Sequence, residues 1–215
     1  MDHIPDNPKI YHIVHVDKLS AIIGDGFLFS DSLLAQRPVS GTVIGMRKIK
    51  NRRMTELRLT SYPDIFVGGC VPFYFCPRSV MLYMIYRRSS DLAYQGGQGP
   101  IVHLVADLHR VVEWANANNH RWAFTLSNAG SFYFEDRGDL AHLNEINWTS
   151  VHTHRWAGSP TKEQKQAEFL VERQFPWQLI EKVGVMNSAV GQQVYQAFGV
   201  SAHRPQLEIL PSWYY

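Results

Sequence analysis

The chain lacks most of the features that commonly announce a function. It has only two cysteines, Cys70 and Cys76, among 215 residues. They form no CxxC pair, so neither a disulfide framework nor a cysteine-based zinc site is expected, and a reducing cytoplasm suits the composition. Long apolar runs are absent too: nothing approaches the ~20 residues that span a bilayer. The opening Met1-Asp2-His3-Ile4-Pro5-Asp6 has no basic or apolar signal-peptide region, so a soluble cytoplasmic protein with no membrane partner is expected. Charge of one sign is scarce, with a formal net charge of +2, so binding to a polyanion would have to come from a local basic patch. There is no internal repeat and no low-complexity tract.

Missing motifs narrow the chemistry further. No GxGxxG opens a helix and no GxxxxGK[ST] occurs, so no Rossmann or P-loop nucleotide site is signalled. HExxH, the zinc-deaminase pattern and the GxSxG elbow are all absent. His152 and His154 stand two apart, but no carboxylate or cysteine set completes a metal site, so no metal is expected.

What is present is an aromatic load of 6 Trp, 10 Tyr and 11 Phe, with 45% apolar residues, enough for the core of one domain over residues 1–215. Ile10 to Val16 reads as a first strand, with Asp17 as N-cap of a short helix ending at Gly24 or Gly26. Residues 28–45 read as loop with helical pieces. The basic run Arg47-Lys48-Ile49-Lys50-Asn51-Arg52-Arg53 is either a solvated helix face or a phosphate clamp.

Val71 to Cys76 reads as a second strand, and Pro72 places its start at an edge or first position. Ser79 is the N-cap of an apolar helix, Val80 to Tyr86. Strands follow at Ile101–Val105 and Trp122–Leu126, with a helix capped by Asp107 between them; Ser131–Phe134 is a short strand or packed loop. Thr149–Lys165 is a long polar loop, of the kind that is often functional. The last strands are expected at Gln166–Arg173, Val183–Met186 and Leu207–Leu210, with a helix at Ala189–Phe198. About seven short strands and five or six scattered helices, without βαβ alternation, predict an α+β fold.

The strand Gln166-Ala167-Glu168-Phe169-Leu170-Val171-Glu172-Arg173 carries an acid where an apolar residue would be cheaper. Strand alternation puts Phe169 and Val171 in the core and Glu168 on the other face. Glu172 shares that face but lies nearer the strand end. On the strand Val71–Cys76, the same alternation points Tyr74 opposite Phe73 and Phe75. Read alone, His12, Tyr74 and Met81 are equally well explained as core residues.

In order along the chain, Lys9-Ile10-Tyr11-His12-Ile13-Val14-His15-Val16, Val71-Pro72-Phe73-Tyr74-Phe75 through Met81-Leu82, and Gln166-Ala167-Glu168-Phe169-Leu170-Val171 resemble the DarT family of DNA ADP-ribosyltransferase toxins. Their histidine–tyrosine–glutamate layout is that of diphtheria-toxin-type ADP-ribosyltransferases. The resemblance runs from about residue 8 to the C-terminus. It implies an ADP-ribosyltransferase-like fold, with two small, packed, mainly antiparallel sheets and peripheral short helices around an NAD cleft. It implies transfer of ADP-ribose from NAD+, as co-substrate, to a base in single-stranded DNA, most often thymidine. Guanosine in DNA, RNA and protein are the other acceptors open to related enzymes, and a catalytically silent single-strand binding module is the non-enzyme reading.

The same resemblance assigns roles. Glu168 is the catalytic carboxylate. Arg53, with Arg52 as the alternative in the doublet, stabilises the acceptor anion or clamps the pyrophosphate. His12, Tyr74, Met81 and Tyr83 bind NAD, Tyr83 being the rival of Tyr74 for stacking on nicotinamide. The loop before Glu168 corresponds to the family's substrate-recognition loop, where His152, His154, Arg155, Trp156 and Lys162 offer rings and cations to DNA. A macrodomain antitoxin of the DarG type is the implied protein partner, and the chain is expected to act as a monomer.

Overall fold

A computed structural model describes residues 3–38, 40–158 and 160–215. In chain order the strands and helices are β1 (Lys9–His15), α1 (Leu19–Asp25), β2 (Phe27–Phe29), α2 (Asp31–Leu34), α3 (Arg47–Thr55), β3 (Cys70–Tyr74), α4 (Val80–Tyr86), β4 (Ile101–Asp107), α5 (Leu108–Ala117), β5 (Trp122–Asn128), β6 (Asp136–Arg137), α6 (Trp148–His152), α7 (Thr161–Gln164), β7 (Ala167–Glu172), β8 (Gln174–Pro176), β9 (Ile180–Val185), α8 (Ser188–Phe198) and β10 (Gln206–Ile209). The fold is α+β.

Eight strands form one hydrogen-bonded sheet in the order β10-β9-β4-β1-β3-β7-β5-β6, and β2 pairs with β8 in a small second sheet. Pairing is antiparallel except between β10 and β9. The large sheet is nearly divided. β1 follows β4 over its whole length, from Lys9↔Asp107 to His15↔Ile101, yet it meets β3 at the single pair Tyr11↔Tyr74. Two four-stranded halves are thus joined at one point and splay apart beside it.

Pro72 lies in the middle of β3, in the interior of the sheet, and not at the edge or first position that a proline predicts. The splayed joint explains the exception. A proline has no N–H for a ladder, and next to β1 little ladder is asked of it. Its carbonyl is taken instead by the His12 ring, with Nδ1 at 2.6 Å.

The apolar alternation of β7 sorts its side chains between two clusters. Ala167, Phe169 and Val171 join the main core with Phe73, Phe124, Phe175 and Trp177. Leu170 faces the other way, into a smaller cluster with Leu57, Leu59, Ile65, Val67 and Cys70. A third cluster, of Ile13, Leu82, Ile85 and Ile101, lies beneath α4, with Tyr74, Met81 and Tyr94 packed on it.

Two caps stand where the sequence puts them: Ser79 Oγ accepts from Leu82 N–H, and Asp107 accepts from Arg110 N–H. Asp17 is not an N-cap. A 3-10 turn at Val16–Lys18 intervenes, and the Asp17 carboxylate instead accepts the Thr42 N–H and hydroxyl, which ties residues 40–42 to the end of β1. Ser131–Phe134 is an irregular loop and not a strand, and it is not packed at Phe132 and Tyr133, which are exposed. The polar stretch before β7 is organised by the short helices α6 and α7.

Candidate active site

Glu168 sits on β7 directly opposite Tyr74 of β3, one residue pair from the point where the sheet splays. Cross-strand partners share a face, so the phenol and the carboxylate are neighbours. The basic run forms α3, which packs against the turn at Val67–Gly69 and extends Arg53 to this face. Arg53 closes a two-pronged contact with the acid: Nη1 donates to Glu168 Oε1 at 3.2 Å and Nη2 donates to Oε2 at 2.8 Å. The side chains are 13% and 5% exposed. A charged pair this far from water is held by geometry as well as by charge.

The electrostatics follow from this burial. Desolvation opposes the Arg53 charge, but the Glu168 carboxylate more than offsets it by charge and hydrogen bond, so the guanidinium stays above its ordinary value. Burial first, and then Glu168, hold the Tyr74 phenol above its ordinary range, so it remains an O–H donor. His12 is pushed down to about 4, mainly by burial, against the pull of the Pro72 carbonyl. The neutral ring donates from Nδ1 to Pro72, which leaves Nε2 as an acceptor.

The backbone at Glu168 is also unusual. The β5–β7 register breaks between Phe124↔Phe169 and Asn128↔Ala167. The Glu168 N–H, deprived of a regular ladder partner, donates to Thr125 Oγ1 at 3.0 Å, and the Thr125 hydroxyl donates to Ser127 O at 2.6 Å. Bulges of this kind re-aim a side chain and recur beside active sites.

The structure separates the arginine doublet. Arg53 reaches Glu168, while Arg52 turns away and lays its guanidinium 4.4 Å from the centre of the Phe132 ring. Glu172, the competing acid on β7, is taken by Arg121, whose Nη2 donates to Oε1 at 2.9 Å. Met81, on α4, and Tyr74 both pack against the third cluster. Tyr83 is engaged edge-on by Trp156 and by Tyr215, each at 5.0 Å between ring centres.

The residues singled out in the polar loop do not converge on one spot. His152 stacks on Trp148 and pairs Nδ1 with the Trp148 carbonyl at 2.9 Å. His154 accepts from Arg78 Nη1 at 2.9 Å, and with Trp156 it lays the loop across α4. Arg155 and Lys162 are exposed on the outer side.

Two residues of this region escaped the sequence reading. Thr125 gave no signal, because its role depends on the bulge. Lys165 is 2% exposed, with Nζ donating to Val151 O at 2.6 Å and to Cys76 Sγ at 3.5 Å. It pins α6 to the foot of β7. A lysine at the start of an apolar strand was the only available hint. Among the described residues, no cluster of histidine, cysteine, aspartate and glutamate could hold a metal, and no helix is long and apolar enough to cross a membrane.

A family model described as "ssDNA thymidine ADP-ribosyltransferase, DarT" matches residues 11–215. A DNA ADP-ribosyl transferase of Thermus sp. strain 2.9 is 36% identical over 218 residues, which cover 98% of each chain. The solved structure of Thermus sp. 2.9 DarT in complex with ADP-ribosylated ssDNA superposes with a TM-score of 0.89 at 35% identity, covering 100% of both chains. The complex of the same enzyme with NAD+ gives a TM-score of 0.83 at 34% identity, over 99% of this chain and 100% of that one. With its ordered histidine, tyrosine and glutamate strands and a family match that spans nearly all its length, the chain belongs to the DarT family of ADP-ribosyltransferases.

Proposed function

We propose that the protein transfers ADP-ribose from NAD+ to a base, thymidine being the family's acceptor, in single-stranded DNA, with release of nicotinamide. The observation that carries this reading is the buried Arg53–Glu168 pair beside Tyr74, at the mouth of the splay between β1 and β3. His12 stands across that splay with a free ring nitrogen.

The bond that breaks joins ribose C1′ to the nicotinamide nitrogen, so the reaction is glycosyl transfer and not nucleotidyl transfer. The electron pair leaves with nicotinamide, and positive charge develops on C1′ and the ring oxygen, as in glycoside cleavage. One carboxylate below the ribose, Glu168, stabilises that charge without forming a covalent bond. The new bond runs from the acceptor nitrogen to C1′, and the acceptor proton passes to Glu168 or to water. Arg53 orients the carboxylate and stands where a deprotonated base would carry its negative charge. Tyr74 offers its ring to nicotinamide, and His12 Nε2 accepts from a ribose hydroxyl. The polar loop, anchored by Lys165, faces the acceptor. An unpaired base needs no extraction from a duplex, which favours single-stranded substrate.

A macrodomain antitoxin that removes the mark is the partner consistent with this activity, and the two free, buried cysteines suit a reducing cytoplasm. The test is incubation of the purified chain with labelled NAD+ and a mixture of DNA, RNA and protein acceptors, followed by mass spectrometry. One ADP-ribose mass on a DNA oligonucleotide is expected. Label on RNA or protein alone would move the acceptor class, and binding without NAD+ consumption would leave only a binding module.

A further inference from the structure

At the C-terminal end of α4, a surface cavity of about 490 Å³ is lined by Tyr86, Arg87, Arg88 and the glycine-rich segment Gly96-Gly97-Gln98-Gly99. Neither guanidinium is spent on a carboxylate: among the described residues Arg87 and Arg88 have no ion pair and no side-chain hydrogen bond. The glycines leave the backbone open, and a side chain at Gly97 would meet the Arg88 guanidinium at 3.7 Å. Arg88 itself adopts φ 48°, a left-handed conformation uncommon for a residue with a side chain.

The cavity is built and braced. The Tyr94 hydroxyl donates to Gly97 O at 3.0 Å. The Gln98 amide holds both backbone groups of Tyr215, donating to its carbonyl and accepting its N–H. Two exposed, unpaired arginines beside a braced glycine backbone are chemistry for phosphate oxygens.

A series of ring contacts links the cavity to the acceptor loop. Tyr86, 46% exposed, stacks on Tyr215 at 6.0 Å and 23°. Tyr215 meets Tyr83, and Tyr83 meets Trp156. Arg78 lies over the Tyr215 ring at 4.4 Å and holds His154. Cations interleaved with contacting rings are the usual surface for a single strand.

We infer that the Arg87–Arg88 cavity is a phosphate subsite for the stretch of single-stranded DNA that flanks the modified base. This rests on the reading of single-stranded DNA as acceptor. The subsite binds the backbone and not a base, so it adds affinity without adding sequence preference.

The experiment compares the unaltered chain with the double variant Arg87→Gln, Arg88→Gln. The probes are fluorescent oligonucleotides carrying the target base in a minimal context, or extended on the 5′ side or on the 3′ side only. For the unaltered chain, one extension and not the other should tighten binding. The double variant should lose about tenfold on that extended probe, and its log–log salt slope should fall by about 1.4, the value for two lost single-strand phosphate contacts. Binding of the minimal probe, the KM for NAD+ and the thermal midpoint should stay unchanged. The inference is overturned if neither extension tightens binding, or if the variant weakens all probes alike. It is equally overturned if the KM for NAD+ rises, which would give the cavity to the dinucleotide pyrophosphate. Continued modification of the minimal probe keeps any such failure distinct from failure of the DNA-acceptor reading.

Discussion

β7 carries two glutamates on one face, and each holds an arginine. Glu172 and Arg121 make the richer contact on paper: Arg121 donates to Glu172 from Nε, Nη2 and its backbone N–H, and to Asp64 as well. Yet Arg121 is 38% exposed and Glu172 17%, against 13% and 5% for Arg53 and Glu168. The first pair sits in water, where screening and competing hydration leave an ion pair worth little. The second sits over an apolar cluster at a break in the sheet, where each charge depends on the other. Number of contacts is therefore a poor guide to importance here. The lightly bonded pair has the environment in which a carboxylate can act on a developing cation.

The sharpest way to break this comparison is to neutralise each acid in turn. Glu168→Gln should lower ADP-ribosyl transfer by about 10²–10³-fold or more, the scale expected for loss of a preorganised electrostatic group. Glu172→Gln should leave the rate within about twofold, since surface charges remote from the chemistry rarely matter more. Rates come from oligonucleotide mass shift over time. Equal losses in the two variants would remove the distinction.

Truncating the arginines tests the same contrast through stability. Arg53→Ala strands a buried carboxylate and should destabilise the fold by about 3 kcal/mol, read by urea unfolding. Arg53→Lys should recover only part of this, because an ammonium does not match both carboxylate oxygens. Arg121→Ala should cost about 0.2–1 kcal/mol.

A buried group with no charged partner supplies the third case. His103 has 0% exposure, with Nε2 against Pro77 O, and burial pushes it from 6.5 down to about 4. Between those values the unfolded chain binds the proton more readily, so stability is full above about pH 6.5 and is lost as pH falls toward 4, by roughly 3 kcal/mol. His103→Gln should remove about half of the histidine slope in that window, because His12, pushed down to the same value, keeps the other half.

The smallest effect belongs to the exposed pair. Arg121 holds the Glu172 carboxyl below its ordinary 4.5. Its contribution is present above that value and lost as pH falls through the depressed one. Glu172→Gln should remove this acid-side slope, a change of about 0.2–1 kcal/mol.

The sequence by itself determined most of the longer elements and the face on which Glu168 stands. Period-two alternation separated Phe169 and Val171 from Glu168 because a strand offers only two faces. Ser79 and Asp107 marked their helices because a cap is a local contract between a side chain and an N–H two or three residues on. The order of the histidine, tyrosine and glutamate strands identified the family, because those strands lie side by side in the sheet although far apart along the chain. Three things waited for the tertiary structure, each because it depends on residues distant in the chain. Adjacent arginines look alike in sequence, and only the tertiary placement of α3 turned Arg53 to Glu168 and Arg52 to Phe132. Pro72 reads as an edge residue until the single-point joint of β1 and β3 makes an edge inside the sheet. Thr125 and Lys165 acquire roles only from a register break and from a loop folded back on β3. Local pattern fixes which way a side chain faces, and only the three-dimensional packing decides what it meets there.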